Sequence, residues 1–129
     1  MRILIVAATE TEVDPLVGHF HYVADCAERV KAYSYAGHDV DVATTGVGMV
    51  ATAAWCSRAM AWARYDIALN VGLCGTFDRT LAPGTVVHVT SERIAELGAE
   101  DDEDFLTVQE MKLLGENEFP FTRGRLLLS

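Results

Sequence analysis

The chain has 129 residues, 50% apolar and 22% charged, a balance that suits one globular domain and excludes disordered, collagen-like and low-complexity chains. Acids outnumber bases 19 to 10, for a formal charge of −9, so the chain lacks the basic face that a nucleic-acid backbone requires. The excess is uneven: residues 1–90 hold 9 acids and 6 bases, residues 91–129 hold 10 and 4.

Ile3-Leu4-Ile5-Val6-Ala7-Ala8 is a continuous, β-branched-rich apolar run, expected of a central strand covered on both faces. It is too short for a secretory h-region or a membrane span. Cys26, Cys56 and Cys74 are scattered, with no paired or zinc-like spacing, so reduced thiols in a cytoplasmic protein are expected. Thr9 can cap the next segment, and Glu12 three residues on completes a capping pattern ahead of the stripe Val13, Leu16 and Val17. That helix should end near Gly18. Pro15 should fall in or just after its first turn, where a missing N–H matters little.

Residues 30–36 and 39–45 read as two strands joined by a hairpin turn at Gly37-His38. Val40, Val42 and Thr44 alternate with Asp39, Asp41 and Ala43, which predicts one wet face. Thr45-Gly46-Val47-Gly48 then leads into residues 49–63, rich in Ala, Met and Trp and the clearest helix of the chain. Residues 66–71 are predicted as a second buried strand, broken by Gly72-Leu73-Cys74-Gly75. Pro83-Gly84 marks a turn before a predicted strand at residues 85–90. This order of elements predicts a layered α/β fold.

Beyond Ser91 the acids crowd, and residues 96–104 read as a solvated loop. The crowding lacks the glycine-bearing spacing of a calcium loop, so no metal site is expected. Residues 125–129 resemble the opening of a strand, and the chain is expected to stop in mid-fold.

Three breaks fall where α/β sheets present ligands, at the carboxyl ends of strands: after Ala8, at Thr45-Gly46-Val47-Gly48, and at Gly72-Leu73-Cys74-Gly75. Neither G-x-G-x-x-G nor GxxxxGK[ST] occurs, which argues against a dinucleotide or triphosphate cradle. Glu12 has two readings on pattern alone. It is a capping glutamate bound to the Thr9 backbone, or a carboxylate at the mouth of a pocket that polarises water. Glu10 should face solvent. His19, His21, His38 and His88 have no ligand-pair spacing. Cys74 has no evident histidine partner, and reads as a small pocket-wall residue rather than a nucleophile.

Taken in order, these stretches resemble the nucleoside phosphorylase/nucleosidase superfamily. The resemblance rests on Ile3 through Val13, Thr45-Gly46-Val47-Gly48-Met49-Val50-Ala51, Asn70-Val71-Gly72-Leu73-Cys74-Gly75 and Phe77 through Val89. Ala95-Glu96-Leu97-Gly98-Ala99-Glu100-Asp101 and Glu118-Phe119-Pro120-Phe121 are similar to its futalosine hydrolase branch, of the alternative menaquinone pathway. The resemblance implies a three-layer sandwich with a mixed, twisted central sheet in a single domain, and a dimer needing no metal or organic cofactor. It implies cleavage of the N-glycosidic bond of futalosine to release hypoxanthine. Glu12 takes the position that activates water, and Ala8, Thr9, Val47, Cys74 and Gly75 line the nucleoside pocket.

Other consequences follow from the same likeness. The loop from Ala7 to Val13 carries two glutamates and no base, which favours water over phosphate as nucleophile. Leu73 stands where methylthioadenosine nucleosidases have serine. Residues 96–104 and Phe105 would approach a twofold-related subunit's pocket. The carboxylate that grips the ribose and the acid that protonates the purine belong to a later part of the family fold. This chain is therefore expected to be inactive or nearly so, and a truncated sheet would expose an unpaired edge.

Overall fold

A computed structural model describes residues 1–128. They fall into two compact units, one over Met1–Phe77 and one from Asp78 onward.

The first unit is a five-stranded mixed sheet with a helix on each face. Strand β1 (Arg2–Ala7) lies between β4 (His38–Thr44) and β5 (Ile67–Asn70), parallel to both. Strands β2 (His21–Ala27) and β3 (Val30–Tyr35) extend the sheet antiparallel beyond β4, giving the order β2-β3-β4-β1-β5.

The β1 run lacks polar alternation because both of its faces are covered. Leu4 and Val6 pack with Val30, Ala43 and Ala59 beneath helix α2 (Met49–Trp62). Ile5 and Ala7 pack with Val40, Val42 and Val13, the last on helix α1 (Glu10–Val17). Leu4 is fully buried, which contributes about 2 kcal/mol of transfer free energy. The two clusters on opposite faces make the expected three-layer α/β sandwich.

Helix α1 begins at extended Thr9 (φ −133°) and ends at Gly18, whose N–H donates to the Asp14 carbonyl at 3.0 Å. Pro15 sits deeper than expected, as the sixth residue of the helix. It therefore withholds the N–H that the Thr11 carbonyl would have received.

The β3–β4 turn also differs from expectation by one residue. Ala36 and Gly37 take positive φ (50° and 80°) as its central pair, and Tyr35 pairs with His38. A two-residue turn with both centres at positive φ matches the twist of the flanking strands, so His38 opens β4 instead of turning the chain. Strand β2 is not evident in the sequence, because its residues are mostly exposed and it pairs irregularly with β3 alone.

Asp41 overturns the predicted wet face: it is 2% exposed. It lies on the side of the sheet that α2 covers, where its charge is met in full. Arg2 donates to Asp41 Oδ2 from Nε at 3.1 Å and Nη2 at 2.7 Å, and the Tyr65 hydroxyl donates at 2.9 Å. The Arg2 guanidinium also lies 5.4 Å from the ring centres of Trp62 and Tyr65. Burial, followed by the bond to Asp41, pushes the Tyr65 phenol up. Strand β5 is a second correction. It pairs with β1 at the end of the sheet order, and all four of its residues are exposed rather than buried.

In the second unit, residues 85–90 form no strand. Pairing starts at β6 (Ser91–Glu92), antiparallel to β9 (Leu126–Leu127). Most of the acidic stretch is a hairpin rather than a loop, with β7 (Gly98–Asp101) against β8 (Asp104–Thr107). Its carboxylates are exposed as expected, and Asp102 takes a left-handed turn conformation at φ 57°, which Asp tolerates better than most residues. Of the strand expected at residues 125–129, Leu126–Leu127 is formed, and Ser129 lies outside the described residues.

Candidate active site

Because β1, β4 and β5 are parallel, their carboxyl ends share one edge of the sheet. Ladder bonds continue past the strands and hold the three breaks together. Thr45 N–H donates to the Ala7 carbonyl at 2.9 Å, Gly46 N–H to Ala8 at 3.0 Å, and Val71 N–H to Val6 at 2.8 Å.

Glu12, in the first turn of α1, bridges two of these breaks. Its Oε2 accepts from the Thr9 amide at 2.9 Å and the Thr9 hydroxyl at 3.0 Å. Its Oε1 accepts from the Leu73 amide at 3.2 Å. The carboxylate thus caps its own helix with one oxygen and fastens the loop after β5 with the other. Those donors, the Leu73 amide foremost, hold its pKa below the ordinary glutamate range. A Cβ on Gly72 would lie 2.9 Å from Glu12 Oε1, so glycine there leaves room for the carboxylate.

The middle break is built around Thr45, which is buried. Its hydroxyl lies 3.3 Å from the Ala7 carbonyl, 3.0 Å from the Gly46 carbonyl and 3.1 Å from Thr52 Oγ1. Gly46 and Gly48 take φ of 86° and 103°, a region that other residues rarely adopt. Between them Val47 is 81% exposed.

The structure therefore brings Ala8, Thr9 and Glu12 together with Gly46 and Leu73. Val47, Cys74 and Gly75 lie exposed on the adjoining loops, and the bonds to Glu12 come from Thr9 and Leu73 instead. Glu10 is exposed and pairs with Lys31 at 2.8 Å. Among the described residues no group of three or more His, Cys, Asp or Glu side chains could hold a metal ion.

One residue near the site escaped the sequence reading. Arg29 turns the chain between β2 and β3 at φ 63°, and its carbonyl accepts from the Thr44 amide at 3.0 Å. Its Nη1 lies 3.5 Å from where a Cβ on Gly46 would stand, and its guanidinium lies 5.3 Å from the Trp55 ring centre. Recognition of β2 would have pointed to it, since only then does Glu28-Arg29 become a turn at the end of β4.

A mixed sheet between helical layers, with its loops gathered at the parallel strand ends, is a nucleoside phosphorylase-like frame. The family model described as phosphorylase superfamily matches residues 2–122, and the chain belongs to that superfamily. Among solved structures it is similar to a 5′-methylthioadenosine/S-adenosylhomocysteine nucleosidase from Streptococcus pneumoniae bound to the transition-state inhibitor MT-ImmA. That match has 25% identity and a TM-score of 0.46, over 54% of this chain and 32% of the other. It is also similar to an S-adenosylhomocysteine nucleosidase from Streptococcus pyogenes in complex with 5-methylthiotubericidin, at 20% identity and a TM-score of 0.46, over 54% and 31%. The chain thus spans about a third of the length of these structures. A search of curated proteins finds no match. Among the described residues no helix is long and apolar enough to cross a membrane.

Proposed function

We propose that this chain carries the water-activating half of a purine nucleosidase site, with futalosine as substrate and hypoxanthine as leaving base. The observation that supports it best is the Glu12 carboxylate, held ionised between Thr9 and Leu73 at the carboxyl end of β1. Departure of a purine leaves positive charge on the ribose, as in other glycoside cleavages. An ionised carboxylate beside that carbon stabilises the charge and accepts a hydrogen bond from the attacking water. The water oxygen bonds to the anomeric carbon, the carbon–nitrogen bond breaks with its electron pair going to the purine, the water proton passes to the carboxylate, and the departing purine takes a proton from solvent. A carboxylate with a lowered pKa is a weak proton acceptor, so its larger contribution is electrostatic. Ala8, Thr9, Val47, Cys74 and Gly75 would line the nucleoside pocket, in a dimeric, cytoplasmic protein of this type.

A second reading is phosphorolysis, favoured by one observation, the Arg29 guanidinium beside Gly46. Arginine suits a phosphate nucleophile, which the two glutamates of the Ala7–Val13 loop would repel. Hypoxanthine release from futalosine, measured with and without phosphate, separates the two. Slow release above the buffer rate without phosphate supports hydrolysis. Release that requires phosphate supports the second reading, and no release in either condition favours a non-catalytic remnant of the fold.

A further inference from the structure

The second unit carries a solvent-open pocket of about 360 Å³ lined by both Arg93 and Arg123. Among the described residues neither guanidinium comes within ion-pair distance of an acid, although the charge of Arg93 helps to lower the Glu110 pKa. Two acids share the lining, Glu110 and Glu116. Glu110 is already engaged, for its Oε2 accepts from the Thr107 amide at 2.8 Å and the Thr107 hydroxyl at 2.7 Å. The loop that presents Arg123 is pinned at its backbone. Arg123 N–H donates to Asn117 Oδ1 at 3.0 Å, and Gly124 N–H donates to the Glu116 carbonyl at 2.8 Å.

In a chain of net charge −9, Arg93 and Arg123 are exposed residues that line one pocket, so their N–H donors meet water that an anionic ligand would displace. Guanidinium forks fit the paired oxygens of a carboxylate or phosphate. The volume exceeds that of a bare ion and falls at the lower end of small-molecule sites, which run from about 300 Å³ upward. Glu116 remains as an acceptor that would repel a purely anionic ligand and receive a hydroxyl.

We propose that this pocket binds a small hydroxylated organic anion, with Arg93 and Arg123 on its oxyanion and Glu116 accepting a hydroxyl. The inference is independent of the Glu12 reading, since no residue is shared.

The test is calorimetric titration of the chain with ribose 5-phosphate, gluconate, inorganic phosphate and ribose. Ribose 5-phosphate or gluconate should bind at millimolar concentration or below, more weakly as salt rises, and the tighter of the two identifies phosphate or carboxylate as the preferred group. Arg93→Gln and Arg123→Gln should each weaken binding about tenfold, while Arg79→Gln, outside the pocket, should not. Glu116→Gln should remove the preference over inorganic phosphate. Should the glutamine variants fail to fold, Arg93→Lys and Arg123→Lys decide, with an intermediate loss expected because charge remains and the fork is gone. Absence of binding by both organic anions, equal binding of ribose, or an equal loss in Arg79→Gln would overturn the proposal.

Discussion

The Oε1 atom of Glu12 accepts a hydrogen bond from the Leu73 amide at 3.2 Å, across 61 residues of sequence. This bond joins the first turn of α1 to the loop after β5, and thus two of the three strand ends that form the site. It exists because Gly72 has no side chain: a methyl group there would stand 2.9 Å from that oxygen. Gly72→Ala should displace the carboxylate from the Leu73 amide while the fold stays intact. The amide lowers the Glu12 pKa, so the variant's pKa should rise toward the ordinary value. Carboxyl-carbon NMR titration of both proteins checks this, and an unchanged Glu12 titration would show that Gly72 does not govern the contact.

Glu12 also makes stability depend on pH in a definite direction. Its folded pKa lies below the reference value of 4.5. The stability it contributes is therefore complete above the unfolded-state pKa and lost as pH falls through the lower folded one. Urea midpoints measured from pH 6 down to pH 3, on the wild type and Glu12→Gln, should show a shallower acid decline in the variant. Parallel curves would mean that the Thr9 and Leu73 donors do not favour the charged form.

Two ion pairs of the first unit should behave very differently. Asp41 is buried against Arg2 and Tyr65, and Asp41→Ala strands those donors and leaves a hole beneath α2. Its cost should be about 2–4 kcal/mol in urea unfolding, near the range for breaking buried pairs and discounted for the partly exposed arginine. Lys31 and Glu10 meet in solvent, where such pairs are worth about 0–1 kcal/mol. Glu10→Gln should therefore leave the urea midpoint nearly unchanged.

Pro15 lies inside α1 and offers a stabilising change. Alanine restores an N–H for the Thr11 carbonyl and removes the ring from the preceding turn, so Pro15→Ala should add about 1 kcal/mol. Thermal unfolding followed by circular dichroism reads the gain as a higher Tm.

What the sequence made legible follows from where local pattern and tertiary packing agree. The apolar run at Ile3 has one simple explanation, burial on both faces, and the carboxyl end of that strand led directly to Thr9 and Glu12. The glycines at 46 and 48 marked a break that the backbone needs for its positive φ. Asp41 was hidden because alternation in a strand tells which residues share a face, not whether a helix covers that face. Its partners Arg2 and Tyr65 lie 39 and 24 residues away, a pairing no local pattern encodes. Arg29 was hidden for a related reason, since β2 shows no clean period and its turn could not be placed. The bond from Glu12 to Leu73 was equally remote. The capping pattern announced one oxygen's role, and the other became visible only once β5 lay beside β1.

The most direct test of the account is hypoxanthine release from futalosine by wild type and Glu12→Gln, in phosphate-free buffer at pH 7 and under identical protein concentration. Release by the wild type above the buffer rate, falling to that rate in the glutamine variant with the fold retained, is the predicted result. Equal release by both proteins would show that the carboxylate serves its helix cap and takes no part in cleavage.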